Sequence, residues 1–326
     1  MKKSLSLLLA ILMCVSMIPL SGCNSKKENI PVPAATDSQS DISPPQNDGP
    51  DPGPKPDPEI SDAQDEHIEP EPAGDDVVLV IYGSGVASQT NWTLEQLLLL
   101  EDGYLEQTFS TTNNWPNYSH IIGNGVALRY LLERAGILDD AKTLIFSSPD
   151  GYKAALTREQ VFGVQYAYSE HSASGSSGAY EVEPVVAWEW GEKSAEPEDL
   201  RPFFGQFGPH DVNTAAMVKS LYRIEVSAVS AGAWDIPEHN IPKSGSLPKE
   251  MELEFTHPNM DNIKLYYTLD GSEPDYNSEV YNKSTSYFQP ALILPVKISD
   301  GVTIKVFAGG FGKADSAVLT LTYMAG

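Results

Sequence analysis

Two cysteines, six histidines and scattered hydroxyl, amide and carboxylate side chains are what this 326-residue chain offers for chemistry. The cysteines, Cys14 and Cys23, both lie near the N-terminus. His67, His120, His171, His210, His239 and His257 form no His-x-x-x-His or His-Glu-x-x-His pair, the spacings that bring two imidazoles to one metal. No Gly-x-Ser-x-Gly elbow raises a serine nucleophile. Gly83-x-Gly85 follows an apolar run, but Ser88 stands where a dinucleotide loop has its third glycine. Asp270, Glu273 and Asp275 offer oxygen ligands for calcium, at a spacing that is not that of an EF loop. Trp188, Trp190, Phe203, Phe204 and Phe207 gather around Pro202, mostly as core, with any exposed ring able to stack on a sugar or another planar ligand.

The elements that must position these groups begin after a leader. Lys2 and Lys3 precede an apolar run from Leu5 to Leu20, short for a bilayer span, and small residues then lead to Cys23. That is the layout of a secretory signal. Leu20-Ser21-Gly22-Cys23 resembles a bacterial lipobox. The resemblance implies a signal peptide over 1–22, cleavage before Cys23, lipid on the Cys23 sulfur and amino group, and an extracytoplasmic protein tethered to the membrane. Cys14 leaves with the leader, so the mature chain has no disulfide, no thiol nucleophile and no further thiolate ligand. Residues 23–75 read as a disordered stalk. From Glu28 to Asp76 there are fourteen acidic residues against the single Lys55, more than half of the net charge of −24, and 11 of the 25 prolines. Such a stretch buries too little apolar surface to offset its chain entropy, and like charges extend it. The acidity argues against nucleic acid as a partner, because phosphate binding needs a basic surface.

Residues 76–228 read as an α+β domain. Val77 to Tyr82 has the composition of a buried strand, and Thr93 with Gln96 forms a capping box for a helix over Leu94 to Leu100. Tyr104 to Thr112 reads as a strand, His120 to Val126 as the lead into a helix from Ala127 to Ala135, and Thr143 to Ser147 with Tyr152 to Leu156 as a strand pair. A short helix follows from Thr157 to Phe162, and Ser169 to Gly178 reads as a mobile loop. Val185 to Trp190 and Ser220 to Val226 complete the strands. Several segments in this order resemble the molybdopterin-binding domain of the sulfite oxidase superfamily. They are Trp92 to Leu97, Trp115 with Gly125 to Ile137, Ser148 to Tyr152, Leu200 to Gln206, and Val218 to Val226. The resemblance implies a molybdenum cofactor held by a Cys a few residues before the tryptophan. Four positions before Trp115 stands Thr111, flanked by Ser110 and Thr112, and a hydroxyl replaces a thiolate poorly on a high-valent metal. Arg129, Arg158 and Arg201 are the bases available to a pterin phosphate.

Residues 229–243 read as a linker, and 244–326 as a small all-β, Ig-like sandwich. Ile263 to Leu269 is a strong strand, and Asp270-Gly271-Ser272-Glu273-Pro274 is turn chemistry, with Asp270 able to bond backbone amides. Tyr266 to Pro274, Thr303 to Ala308 and Gly312 to Ser316 resemble the C-terminal β-sandwich named after chitobiase and β-hexosaminidase, which implies an accessory module on a secreted or surface protein. The expected role is binding or adhesion at the envelope, to a glycan, a small extracellular ligand or a surface protein, without catalytic residue, metal or cofactor. Its expected cleft is formed by Thr111, Asn113, Trp115, His120, Arg201 and Gln206. Two alternatives stay open: a molybdopterin-dependent oxidoreductase, or its accessory subunit, with an altered metal shell, and a structural spacer.

Overall fold

The computed structural model describes residues 68–71, 73–115, 118–168, 178–191, 199–246, 250–284, 289–299 and 301–324. Cys23, its lipobox, the stalk as far as His67 and the loop over 169–177 lie outside the described residues.

The fold is predominantly β and sandwich-like, not α+β. The first part contains β1 (Val77–Tyr82), β2 (Thr90–Thr93), β3 (Tyr104–Thr112), β4 (Tyr118–Ala127), β5 (Thr143–Ser147), β6 (Lys153–Thr157), β7 (Gln165–Tyr168), β8 (Ala179–Val182), β9 (Val185–Trp190), β10 (Arg201–Phe203) and β11 (Arg223–Ser227). Among the described residues the α-helices are α1 (Leu94–Leu98), α2 (Leu128–Arg134) and α3 (Arg158–Phe162), with five, seven and five residues. One or two turns of helix cannot cover a sheet, so these serve as connectors and the sheets form the layers. The capping box at Thr93 and Gln96 is present, and Thr157 with Gln160 forms a second.

The expectation failed most at residues 118–127, where an entry to a helix proves to be a ten-residue strand. Its glycines explain this. A Cβ on Gly125 would lie 2.0 Å from the Val186 carbonyl oxygen, and one on Gly123 would lie 3.1 Å from the Phe203 ring. The glycines therefore let β9 and β10 approach a strand that reads, by composition, as a loop.

The two main sheets of the first part run in the orders β2-β1-β11-β5-β6 and β10-β9-β4-β3, and β7 pairs with β8. β1 lies between β2 and β11, parallel to the latter, and its last five residues are buried, as its unbroken apolar run requires. Leu79, Ile81, Phe109, Leu131, Phe146, Phe203 and Ile224 belong to one core cluster.

The C-terminal strands are β12 (Glu238–His239), β13 (Ser244–Gly245), β14 (Met251–Leu253), β15 (Phe255–Thr256), β16 (Lys264–Thr268), β17 (Glu279–Val280), β18 (Val296–Ile298), β19 (Thr303–Gly309) and β20 (Leu319–Tyr323). Five form a sheet in the order β13-β20-β19-β16-β17, and β14 pairs with β18 and β12 with β15. Leu253, Phe255, Leu265, Ile304, Val306 and Leu321 fill the space they enclose.

The first part and this sandwich are joined by a polar and aromatic seam. Tyr266 Oη donates to Asp211 Oδ1 at 2.6 Å, and the Phe207 amide donates to Asp211 Oδ2 at 2.8 Å. The Gln160 amide donates to the carbonyls of Gly310 and Lys313 at 2.8 and 2.9 Å and accepts from the Gly312 N–H at 3.1 Å. Phe311 lies against Phe204 and Phe207, with ring centroids 6.3 and 5.3 Å apart. Gly208 passes so close to Tyr276 that a Cβ there would meet the Tyr276 carbonyl oxygen at 2.0 Å.

Burial pushes the Asp211 pKa up from 3.8 to about 6, against the pull of the Tyr266 hydroxyl and the Phe207 and Gly208 amides. Lys264, also buried, donates to the Asn282 carbonyl at 2.8 Å, and burial lowers its pKa to about 8. The folded chain binds a proton at Asp211 that the unfolded chain releases near pH 4. This group's contribution is therefore full below about pH 4 and is lost as the pH rises through about 6, a change on the order of 3 kcal/mol. In urea titrations the stability of the wild type should fall relative to Asp211→Asn between pH 4 and 6. A difference that stays constant over that range would show that this carboxyl titrates normally.

Candidate functional site

Thr111 and Ser119 face each other across β3 and β4, with their hydroxyl oxygens 2.7 Å apart, and Thr111 is buried. Strand alternation turns Ser110 and Thr112 to the opposite face. There they meet Gln206, which is 1% exposed. Ser110 Oγ donates to Gln206 Oε1 at 2.5 Å, while Gln206 Nε2 donates to Thr112 Oγ1 at 3.1 Å and to the Asp211 carbonyl at 2.9 Å. Asn213, fully buried, joins the same network by accepting from the Thr112 N–H at 3.0 Å and donating to the Ser110 carbonyl at 2.9 Å. His120 reaches it indirectly: its Nε2 lies 2.7 Å from the Tyr168 carbonyl oxygen, and the Tyr168 amide donates to Ser110 Oγ at 3.0 Å.

The other candidates are placed elsewhere. Asn113 Oδ1 accepts from the Trp115 amide at 3.0 Å, and the Trp115 carbonyl accepts from Gln289 Nε2 at 3.2 Å. Trp115 is 40% exposed. Arg201 donates from Nε to the Met217 carbonyl at 3.2 Å and lies over the Phe203 ring. His120 and Gln206 thus share one internal network, Asn113 and Trp115 one loop, and Thr111 and Arg201 bond separately.

This donor set does not fit a molybdenum pterin. The Thr111 hydroxyl is bonded to Ser119, and none of the described residues brings a thiol beside it. Arg129 pairs with Glu183, and Arg129 and Arg158 both stack on the Phe162 ring. The calcium candidates do not converge either. Asp270 Oδ1 accepts from the Ser272 amide and hydroxyl, Asp275 Oδ1 accepts from the Asn277 amide, and Glu273 pairs with Lys305. Among the described residues no three His, Cys, Asp or Glu side chains gather as metal ligands do.

Open space lies instead on the C-terminal sandwich. A groove of about 450 Å³ runs along the end of β16 and the turns beside it. Tyr267 and Glu279, its aromatic and one of its acids, are cross-strand partners on β16 and β17. Burial, with the Glu279 charge added, raises the Tyr267 pKa and keeps the phenol protonated. Asp270 and Leu269 form the next part of the wall, with the hydroxyls of Thr268, Ser272 and Ser278. Gly271, at φ 81°, makes the turn that presents Asp270, and Thr268 Oγ1 fastens it by donating to the Ser272 carbonyl at 2.7 Å. The Ser272 donors lower the Asp270 pKa. The groove thus offers two carboxylates, several hydroxyls and one ring. Five of its residues, Tyr267 to Asp270 and Ser272, lie within the run Tyr266 to Pro274, which in sequence reads as a strand and a turn, and Ser278 and Glu279 come from the segment that follows.

Comparison with protein families matches residues 253–323 to the family described as Fn3 associated, where the sequence resemblance pointed to the chitobiase type. No curated protein matches the chain. Among solved structures, the chain is similar to the sulfane dehydrogenase SoxCD from Paracoccus pantotrophus. The identity is 14% and the TM-score 0.36, over 73% of this chain and 68% of that one.

Gln206→Ala should lower stability by on the order of 2–3 kcal/mol, because it orphans Ser110, Thr112 and a buried carbonyl together. Thr111→Val should cost about 1 kcal/mol. Equal and negligible losses in denaturant titrations would mean that these polar groups are not internal ties. The full chain, produced in a host that inserts molybdenum cofactors, should carry no stoichiometric molybdenum by elemental mass spectrometry. A one-to-one content would overturn the misfit of its donor set.

Proposed function

We propose that this protein is a binding protein of the cell envelope, held at the membrane by lipid on Cys23, that recognises a glycan through the groove on its C-terminal sandwich. The leader with Lys2, Lys3 and the run Leu20 to Cys23 supports the anchor. The acidic, proline-rich sequence that follows supports a spacer between that anchor and the folded part.

The observation that carries the glycan reading is the lining of the groove. Asp270, whose Oδ1 is taken by Ser272, accepts through Oδ2, and the Glu279 carboxylate suits the two hydrogens of a vicinal diol in a fork. The hydroxyls of Thr268, Ser272 and Ser278 spend their protons on the Ser272 carbonyl, Asp270 and Asp275, and their oxygens keep lone pairs that accept from sugar hydroxyls. The Tyr267 ring, with Leu269 beside it, suits the C–H face of a pyranose. The groove is wide and shallow, which suits one or two sugar units of a chain better than an engulfed small molecule.

The full chain should select a subset of neutral or amino-sugar glycans on an array, with affinity falling about tenfold, or ~1.4 kcal/mol, in Tyr267→Ala and in Glu279→Gln. Circular dichroism should show both variants folded. Binding unchanged in both would remove the groove from consideration, and an array with no hits would remove the glycan.

A further inference from the structure

We propose that the free edge of β3 is a second docking site, for a basic polypeptide segment that adds to the sheet as an extended strand. The site is separate from the groove and does not depend on it.

β3 stands at the end of the order β10-β9-β4-β3 and pairs with β4 along its whole length, from Tyr104 opposite Val126 to Thr112 opposite Tyr118. Its even-numbered residues turn their backbone groups away from β4. In the second half of the strand, side chains answer four of those groups. Asn213 takes the Thr112 N–H and the Ser110 carbonyl, and Tyr180 Oη donates to the Thr108 carbonyl at 3.0 Å. In the first half, the Tyr104 N–H donates back to Glu101. From the Tyr104 carbonyl to the Thr108 N–H, with both backbone groups of Glu106 between, none of the described residues provides a partner. Tyr104 and Glu106 are exposed. From the core side, Gln107 Oε1 holds the strand by accepting from the Glu183 amide at 3.0 Å. A rigid strand with an open ladder is what strand addition requires.

The side chains around this edge choose the occupant. Glu106, Asn124 and Glu189 form one row across β3, β4 and β9, and Asn124 Nδ2 lies 3.5 Å from Glu189 Oε2. Glu101 and Asp102 lie exposed at the entry to β3, and Glu181 lies exposed on β8. β3, β4, β7, β8 and β9 contain no Lys or Arg. Tyr104 is 50% exposed, with its hydroxyl 3.4 Å from Glu106 Oε2. An incoming lysine or arginine would meet a carboxylate on the neighbouring strand and an open aromatic ring. A second copy of this chain is disfavoured, because antiparallel pairing about Glu106 sets Glu106 against Glu106.

The test uses the full chain and a synthetic peptide of alternating lysine and valine. Calorimetry should show saturable binding, and hydrogen exchange should slow at the outward amides of Glu106 and Thr108. Binding should weaken by roughly tenfold or more in Glu106→Lys, and similarly when the peptide carries N-methyl groups on its pairing edge. The N-methylated peptide keeps every charge, so equal binding by it would reduce the effect to surface electrostatics and overturn strand addition. Absence of binding, unchanged exchange at those amides, or equal binding of a glutamate–valine peptide would overturn it as well.

Discussion

A fully buried carboxylate holds the halves of the folded unit together. Asp211 comes from the first part and Tyr266 from the C-terminal sandwich, and their hydrogen bond lies where no water reaches. A carboxylate in such a place is costly unless its oxygens are satisfied. Here one oxygen takes the Tyr266 hydroxyl and the other the Phe207 amide. Around it the aromatic rings of Phe207, Tyr276 and Phe311 exclude solvent, and Tyr276 passes its own hydroxyl to Asp315. The consequence is geometric. The sandwich is not a bead on a linker, because moving it would strip the buried Asp211 of its Tyr266 donor and empty the aromatic seat of Phe311. The groove and the first part therefore belong to one body.

Side-chain amides repeat a second device. Asn213 pairs with the carbonyl of Ser110 and the N–H of Thr112, and Gln160 with the carbonyl of Gly310 and the N–H of Gly312. Asn240 does the same at Glu252 and Glu254, and Asn282 at Ile263 and Leu265. Each amide offers one donor and one acceptor in the spacing of a neighbouring strand, so it closes a ladder where no strand follows. In Gln160 the same device crosses from the first part to the sandwich. The unanswered stretch of β3 stands out against this treatment of the other backbone groups.

The sequence was informative where local rules decide. The apolar run Val77 to Tyr82 is a central strand, and Thr93 with Gln96 starts a helix where the capping pattern requires one. The fold class was not legible, because helix starts carry a signal and helix lengths do not. The three helices among the described residues stop after one or two turns, held by sheets whose pairing is non-local. β4 was hidden for the same reason: its glycines and asparagine look like a loop until β9 and β10 are known to lie against them. The candidate cleft shows a further limit. Thr111, His120 and Gln206 have the residue types of a binding site, and those types also serve as internal ties between strands. Only the tertiary contacts separate the two uses.

The histidines carry this distinction to its end. His257 accepts from the Asn259 amide and lies 3.0 Å from the Asp235 carbonyl oxygen, and His120 is engaged with Tyr168. Burial lowers the pKa of both His210 and His257, so at neutral pH neither brings a charge to a ligand. Among the described residues His120, His210 and His257 are thus engaged with the fold, whereas the groove and the outer edge of β3 present carboxylates, hydroxyls, an aromatic ring and a stretch of open backbone. Groups of those kinds suit hydroxyls, cations and amides, through hydrogen bonding and charge. The two proposed sites would accordingly select by different physics, the groove by hydroxyl geometry and the β3 edge by charge and strand register.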